Sequence, residues 1–175
     1  MISTYLYDSG ELIKSSKDPA LCVADSFLLV GGKVRSFNLH LQRFRRGVAL
    51  KAPAVTGDLD GFIECLKNAL PKQGSWFPRL ELTHSHELVL RLRPAPETFE
   101  TAIIWTYPFP DPRSDLSVKG PELDLGESIR SQAQLHGADE AILLTKEGFI
   151  SEGALSSLVW WEADILTAPD NEIPW

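Results

Sequence analysis

Gly137-Ala138-Asp139-Glu140-Ala141-Ile142-Leu143-Leu144-Thr145-Lys146-Glu147-Gly148-Phe149-Ile150-Ser151-Glu152-Gly153 decides how the second half of the chain is read. Gly137 closes a helix predicted from Leu123 to His136, because glycine takes the left-handed backbone of a helix end without steric penalty. Ala141 to Leu144 is an apolar run of strand length, Gly148 marks a turn, and Phe149-Ile150 is a second apolar segment. Leu158 to Trp161 and Ile165-Leu166 follow as further short apolar segments.

Towards the N-terminus, Pro108, Pro110 and Pro112 fall within five residues, and residues 108–118 read as a linker. Before it, Ile103, Ile104 and Trp105 suggest a deeply buried strand. Leu80 and Leu82 alternate with Arg79, Glu81 and Thr83, and Leu88, Leu90 and Leu92 alternate with Glu87, Val89, Arg91 and Arg93. This period of two predicts a hairpin that turns at His84-Ser85-His86. Leu59, Phe62, Ile63, Leu66 and Leu70 form one stripe of a helix that starts at Thr56 or Asp58 and stops at Pro71. Leu41, Phe44 and Val48 form the stripe of an earlier helix, capped by Asn38 and closed by Pro53. Gly31-Gly32, flanked by Leu28-Leu29-Val30 and Val34, suggests another hairpin. The order of elements describes an α+β protein of two units: an N-terminal domain over 1–107, the linker, and a C-terminal domain over 119–175 that reads as incomplete at this length.

With 175 residues, 43% of them hydrophobic and 23% charged, and a net charge of -7, the chain is neither disordered, collagen-like nor a coiled coil. No apolar run approaches the roughly 18 residues of a membrane span. The start lacks the pattern of a secretory leader, and Cys22 and Cys65 are too few for a disulfide scaffold, so a cytoplasmic protein with reduced thiols is expected. The acidic balance argues against a general nucleic-acid binder, which needs cations to replace phosphate counterions. Yet no carboxylate lies between Asp25 and Asp58, where Lys33, Arg35, Arg43, Arg45, Arg46 and Lys51 all fall. This run is either a local anion site or a solvated basic helix face. His84 and His86 would share one face of a strand but not of a turn, and no third ligand is suggested, so no metal site is expected.

The glycine-rich phosphate loops, the Gly-x-Ser-x-Gly elbow and Cys-x-x-Cys are all missing. Three other segments stand in order: Ala24-Asp25-Ser26-Phe27-Leu28 through Leu39-His40-Leu41-Gln42-Arg43-Phe44, then Val118-Lys119-Gly120, then the Gly137 to Gly153 stretch. Together they resemble the class IV aminotransferases, the fold-type IV pyridoxal-phosphate enzymes that include branched-chain aminotransferase, D-amino-acid aminotransferase and aminodeoxychorismate lyase. The resemblance covers most of the chain from Asp25 onward. Its most specific part is the third segment, in which Glu152 follows Lys119 by 33 residues, a spacing similar to that of the family.

The resemblance implies two α+β domains, pyridoxal 5'-phosphate as cofactor and an amino acid or keto acid as substrate, with no nucleic acid or membrane partner and a homodimeric assembly. Lys119 resembles the lysine that forms a Schiff base with the cofactor and then moves a proton, a task for a primary amine that can lose its charge. Glu152 resembles the partner of the pyridine nitrogen, and Arg43 resembles the phosphate anchor. Helical spacing puts Arg43 away from the Leu41, Phe44, Val48 stripe, with Gly47 and Leu50 on its side. Arg91 and Arg93 read as outward strand charges, with a substrate carboxylate as the other reading. Ser157 stands where many members have asparagine, and Asp124 where branched-chain enzymes have tyrosine, which argues against a branched-chain substrate. The N-terminus reads as lacking an opening strand with an Asn-Gly turn. After Thr167-Ala168-Pro169, the family's phosphate loop is not reached. Two functions are therefore expected in competition: an aminotransferase or aminodeoxychorismate-lyase-like enzyme, and an inactive truncated relative that acts by association through Trp160, Trp161 and Trp175.

Overall fold

The alternating stretch from Arg79 to Leu92 becomes the centre of a sheet in the computed structural model, which describes residues 2–114, 118–120 and 122–169. The chain divides into two units: residues up to Glu97 joined by Lys119 and Gly120, and the described residues of Thr98–Val118 and those from Glu122 onward.

The first unit carries β1 (Ser3–Asp8), β2 (Glu11–Ser15), β3 (Leu21–Ser26), β4 (Leu29–Val30), β5 (Lys33–Val34), α1 (Phe37–Lys51), α2 (Leu59–Ala69), β6 (Ser75–Trp76), β7 (Arg79–Thr83) and β8 (Leu88–Leu92). Five strands form one antiparallel sheet in the order β2-β1-β8-β7-β3, and β5-β4-β6 form a smaller one. Leu80 lies opposite Leu90 and Asp25, so these side chains share the face that α1 meets. On that side Phe44 and Val48 of α1 and Phe62 and Leu66 of α2 are fully buried, which is where the two predicted stripes go. The 80–92 hairpin turns where expected, with His86 at φ 64.

Two readings are corrected. The chain does open with a strand hairpin, β1 and β2, whose turn is Ser9-Gly10 rather than Asn-Gly; both residues take positive φ, 48 and 95, the conformation that matches the twist of paired strands. Asn38 is not the helix cap. Ser36, at φ 54, precedes α1 and makes no side-chain cap bond, so the turn after β5 starts the helix two residues earlier.

The second unit carries β9 (Ile104–Pro110), α3 (Leu123–Leu135), β10 (Glu140–Leu144), β11 (Ile150–Gly153), β12 (Trp160–Glu162) and β13 (Ile165–Thr167). Its sheet runs β11-β10-β9, with β9 parallel and β11 antiparallel to β10, while β12 and β13 pair separately. Ile129 and Ala133 of α3 pack with Ala141 and Leu143 of β10, and Trp105 and Tyr107 of β9 cover the cluster.

Ile103 and Ile104 are exposed, not deeply buried, because β9 is an edge strand with only its Trp105, Tyr107 side on the core. The strand also continues through Pro108 and Pro110, into the stretch that reads as a linker. Proline removes a donor from the ladder, which an edge strand tolerates. Among the described residues no helix is long and apolar enough to cross a membrane.

Candidate functional site

Lys119 is fixed by its backbone. The Ala24 N–H donates to the Lys119 carbonyl at 2.7 Å, so residue 119 lies on the outer edge of β3, the last strand of the five. Gly120 shows why the pair is Lys-Gly. Its φ is +138, and a Cβ there would sit 2.5 Å from the Ala24 nitrogen and 2.8 Å from the Val23 carbonyl carbon. Only glycine lets the backbone come this close. The Lys119 side chain is exposed.

Asp25, the next residue of β3, is 0% exposed and holds the other candidate of this unit. Arg43 Nε donates to its Oδ2 at 2.5 Å and Nη2 to its Oδ1 at 2.9 Å, and His40 Nδ1 lies 2.8 Å from Oδ1. The His40-x-x-Arg43 spacing puts both side chains on the α1 face above Asp25. Arg43 therefore does not go wholly to solvent as its place on the helical wheel suggests: its side chain is 45% exposed, with one edge of the fork on Asp25. Nη1 has no bond to a described residue. Gly47 is buried beside it and Leu50 is exposed.

Glu152 belongs to the second unit. It lies on β11 opposite Leu143, in a turn closed by the Gly153 N–H donating to Ser156 O and the Ala154 N–H donating to Ala141 O, both 2.9 Å. Two glycines permit the turn: a Cβ on Gly153 would lie 2.8 Å from Ser156 O, and one on Gly126 of α3 would lie 2.5 Å from Ala154 O. Buried Glu140 accepts from Ser156 Oγ and from the Ala141 N–H. Ser156, rather than Ser157, thus makes the local side-chain bond. Glu152 Oε1 accepts a bond from Arg113 Nη1, and Arg113 is gripped in turn by Asp111. Burial works against charge on Arg113, but its bonds to Asp111 and Glu152 outweigh this and hold its pKa above the ordinary value. Neither Asp111 nor Arg113 carries a signal in the sequence beyond lying in a proline-rich stretch.

Other candidates resolve differently. Arg91 is not an outward strand charge: it bonds to Glu81, which is 1% exposed, and to Asp18, while Arg79 takes the same Glu81 oxygen at 2.6 Å. Arg93 donates to Ser26 Oγ and Phe77 O and lies over the Phe77 ring. Within the basic run, Arg43 and Arg45 pair with Asp25 and Asp60 respectively. His84 and His86 sit in a turn, and among the described residues no group of three metal-binding side chains occurs. Cys22 and Cys65 are unpaired. Trp160 and Trp161 are exposed, and Trp175 lies outside the described residues.

The first unit carries a primary amine, Lys119, and a guanidinium, Arg43, whose Nη1 has no bond to a described residue; the second carries a carboxylate, Glu152, whose Oε2 accepts none from one, and each is a group type that pyridoxal-phosphate chemistry uses. The family model of the class IV aminotransferases matches residues 23–173, and the chain belongs to this family. It is a pyridoxal-phosphate-dependent transferase or lyase of fold type IV. Solved structures agree in fold. A hypothetical aminotransferase from Mycobacterium tuberculosis in its apo form aligns with 99% of this chain and 73% of its own, at 17% identity and a TM-score of 0.74. The branched-chain amino acid aminotransferase from Escherichia coli aligns with 96% of this chain and 66% of its own, at 18% identity and a TM-score of 0.72. A 4-amino-4-deoxychorismate lyase, so described provisionally, aligns with 84% of this chain and 63% of its own, at 22% identity and a TM-score of 0.64. The search of curated proteins gives no match.

Proposed function

We propose that this chain acts on an amino acid, or its keto acid, or on an aminodeoxychorismate-like substrate, with Lys119 as the residue that binds the cofactor covalently. The observation that carries this reading is the seat of the Lys119-Gly120 pair on β3, where the carbonyl is bonded and the glycine is required, so the lysine's backbone has a single place. A flexible loop lysine has no reason to be followed by a glycine pressed against a strand.

When bound, pyridoxal phosphate supplies an electron sink for negative charge at the substrate Cα. The protein's residues do the rest. Lys119 would hold the cofactor through Nζ and would move a proton at the substrate carbon. Arg43, its orientation set by Asp25, presents Nη1 for the phosphate. Glu152 holds a proton at the ring nitrogen through Oε2. The assignment of an aminotransferase rather than a lyase role rests on substrate contacts beyond these three residues. A homodimer in the cytoplasm completes the reading, supported by the resemblance and by two unpaired thiols.

The test is the visible absorbance of the purified chain after addition of pyridoxal phosphate, followed by borohydride reduction and peptide mapping. A bound-cofactor band with the reduced label on Lys119 is expected. Label scattered over several lysines overturns the assignment. A second reading, an inactive relative that acts by association, draws on the exposed Val159, Trp160, Trp161, Ile165 and Leu166 of the β12–β13 hairpin. It predicts no band together with self-association in sedimentation.

A further inference from the structure

Glu152 does not stand alone, and the residues that hold it are arranged in a way that bears on charge. Asp111 follows the last residue of β9, and its N–H donates to the Leu144 carbonyl at the end of β10 at 2.8 Å. From this fixed point its carboxylate takes one edge of Arg113: Nε lies 2.9 Å from Oδ1 and 3.2 Å from Oδ2, and Nη2 bonds Oδ2. The Arg113 backbone N–H adds a bond to Oδ1 at 3.1 Å. With Nε and Nη2 so occupied, Nη1 is the nitrogen that reaches Glu152, and it takes Oε1. The three side chains are 9%, 13% and 24% exposed for Asp111, Arg113 and Glu152, so water screens them only in part. Glu140, the buried carboxylate of β10, is engaged by Ser156 and the Ala141 N–H instead.

An Arg–Glu pair by itself is neutral and gives little reason for a further proton to settle beside it. The third member changes the sum. Asp111, Arg113 and Glu152 together carry one net negative charge, and a single proton on a ring nitrogen at Oε2 brings the group to neutrality.

We propose that Asp111 and Arg113 are positioning residues for the cofactor's ring nitrogen: Arg113, bonded to Oε1, turns Glu152 so that Oε2 is presented, and Asp111 supplies the extra negative charge that makes ring protonation favourable. This rests on the reading of Glu152 as the ring's partner. The raised pKa of Arg113 agrees with a cation that stays charged throughout.

The two residues oppose each other electrostatically, so their variants separate a charge role from a structural one. With ring-nitrogen-labelled pyridoxal phosphate bound, the nitrogen-15 shift should report a lower ring pKa in Asp111→Asn, from the lost negative charge, and a displaced ring-nitrogen signal in Arg113→Met, from the lost hold on Glu152. A packing role alone would lower thermal stability in both and leave the ring-nitrogen signal unmoved, and that result overturns the proposal. Where Arg113→Met does not fold, Asp111→Asn decides alone: an unmoved ring-nitrogen signal overturns the proposal. If Glu152→Gln leaves the ring nitrogen signal unchanged, the reading of Glu152 fails and the proposal fails with it. If Glu152→Gln moves that signal while the Asp111 and Arg113 variants do not, only the proposal fails.

Discussion

Asp25 on β3 and Arg43 on α1, 18 residues apart, meet through two hydrogen bonds of 2.5 and 2.9 Å to a carboxylate with no exposed surface. Removing the acid leaves a half-exposed arginine that water can recover, whereas removing the arginine leaves a buried carboxyl whose one remaining side-chain partner among the described residues is His40. We expect Asp25→Ala to cost about 1–3 kcal/mol and Arg43→Ala at least as much, below the 3–5 of fully buried pairs because Arg43 is 45% exposed. In urea unfolding the double variant should cost less than the sum of the two, since each single change orphans the other group.

Gly120 sets where Lys119 lies, so Gly120→Ala should displace the lysine without unfolding the domain. The added Cβ meets backbone at 2.5 Å, and the φ of +138 is strained for any other residue. A local cost of about 1–3 kcal/mol is expected. Circular dichroism should show the native spectrum, while borohydride labelling of residue 119 falls sharply.

Lys119 itself is exposed, and its replacement should be cheap for the fold and decisive for the chemistry. Lys119→Ala is expected to change unfolding stability by no more than about 0.5 kcal/mol and to abolish the specific label. Lys119→Arg should also abolish it, because a guanidinium does not lose its proton.

Glu81 lies between Arg79 and Arg91, opposite each other on β7 and β8. Glu81→Gln leaves both cations without their shared carboxylate and should destabilise the first unit by about 3 kcal/mol, read as a lower denaturant midpoint. The bond to Glu81 is the main reason that the pKa of Arg91 lies above its ordinary value, against burial. For a group raised in the folded state, the stabilisation is complete below the unfolded pKa and is lost only as pH rises through the folded one. Titration from neutral pH into the lysine range should therefore leave the Arg91 contribution intact.

Gly126 lets α3 approach the turn that carries Glu152. Gly126→Ala places a Cβ 2.5 Å from the Ala154 carbonyl oxygen, so either the helix or the turn must move. An overpacking cost of about 1–3 kcal/mol is expected, and the Glu152 carboxyl NMR signal should shift even where the fold persists.

Much of this fold follows from local pattern. The stripe of Phe62, Ile63 and Leu66 and the alternation of Leu80, Leu82, Leu88 and Leu90 each encode one buried face, because the periods of helix and strand leave few other places for those side chains. The order of three short segments likewise carried a resemblance to the family that the match over residues 23–173 bears out, and that resemblance made Lys119, Glu152 and Arg43 the candidate residues. What the sequence does not contain is the choice of partner for each charge. Arg43 reads as solvated until β3 places Asp25 under it. Arg113 reads as part of a linker until β9 carries Asp111 to the end of β10 and swings the guanidinium onto Glu152. Edge position decided that β9 tolerates its prolines and exposes Ile104, and that β3 has an N–H to give to Lys119. Periodicity reports which face of an element is apolar, whereas ion pairs and strand edges depend on distances between segments far apart in the chain, and only the tertiary structure sets those.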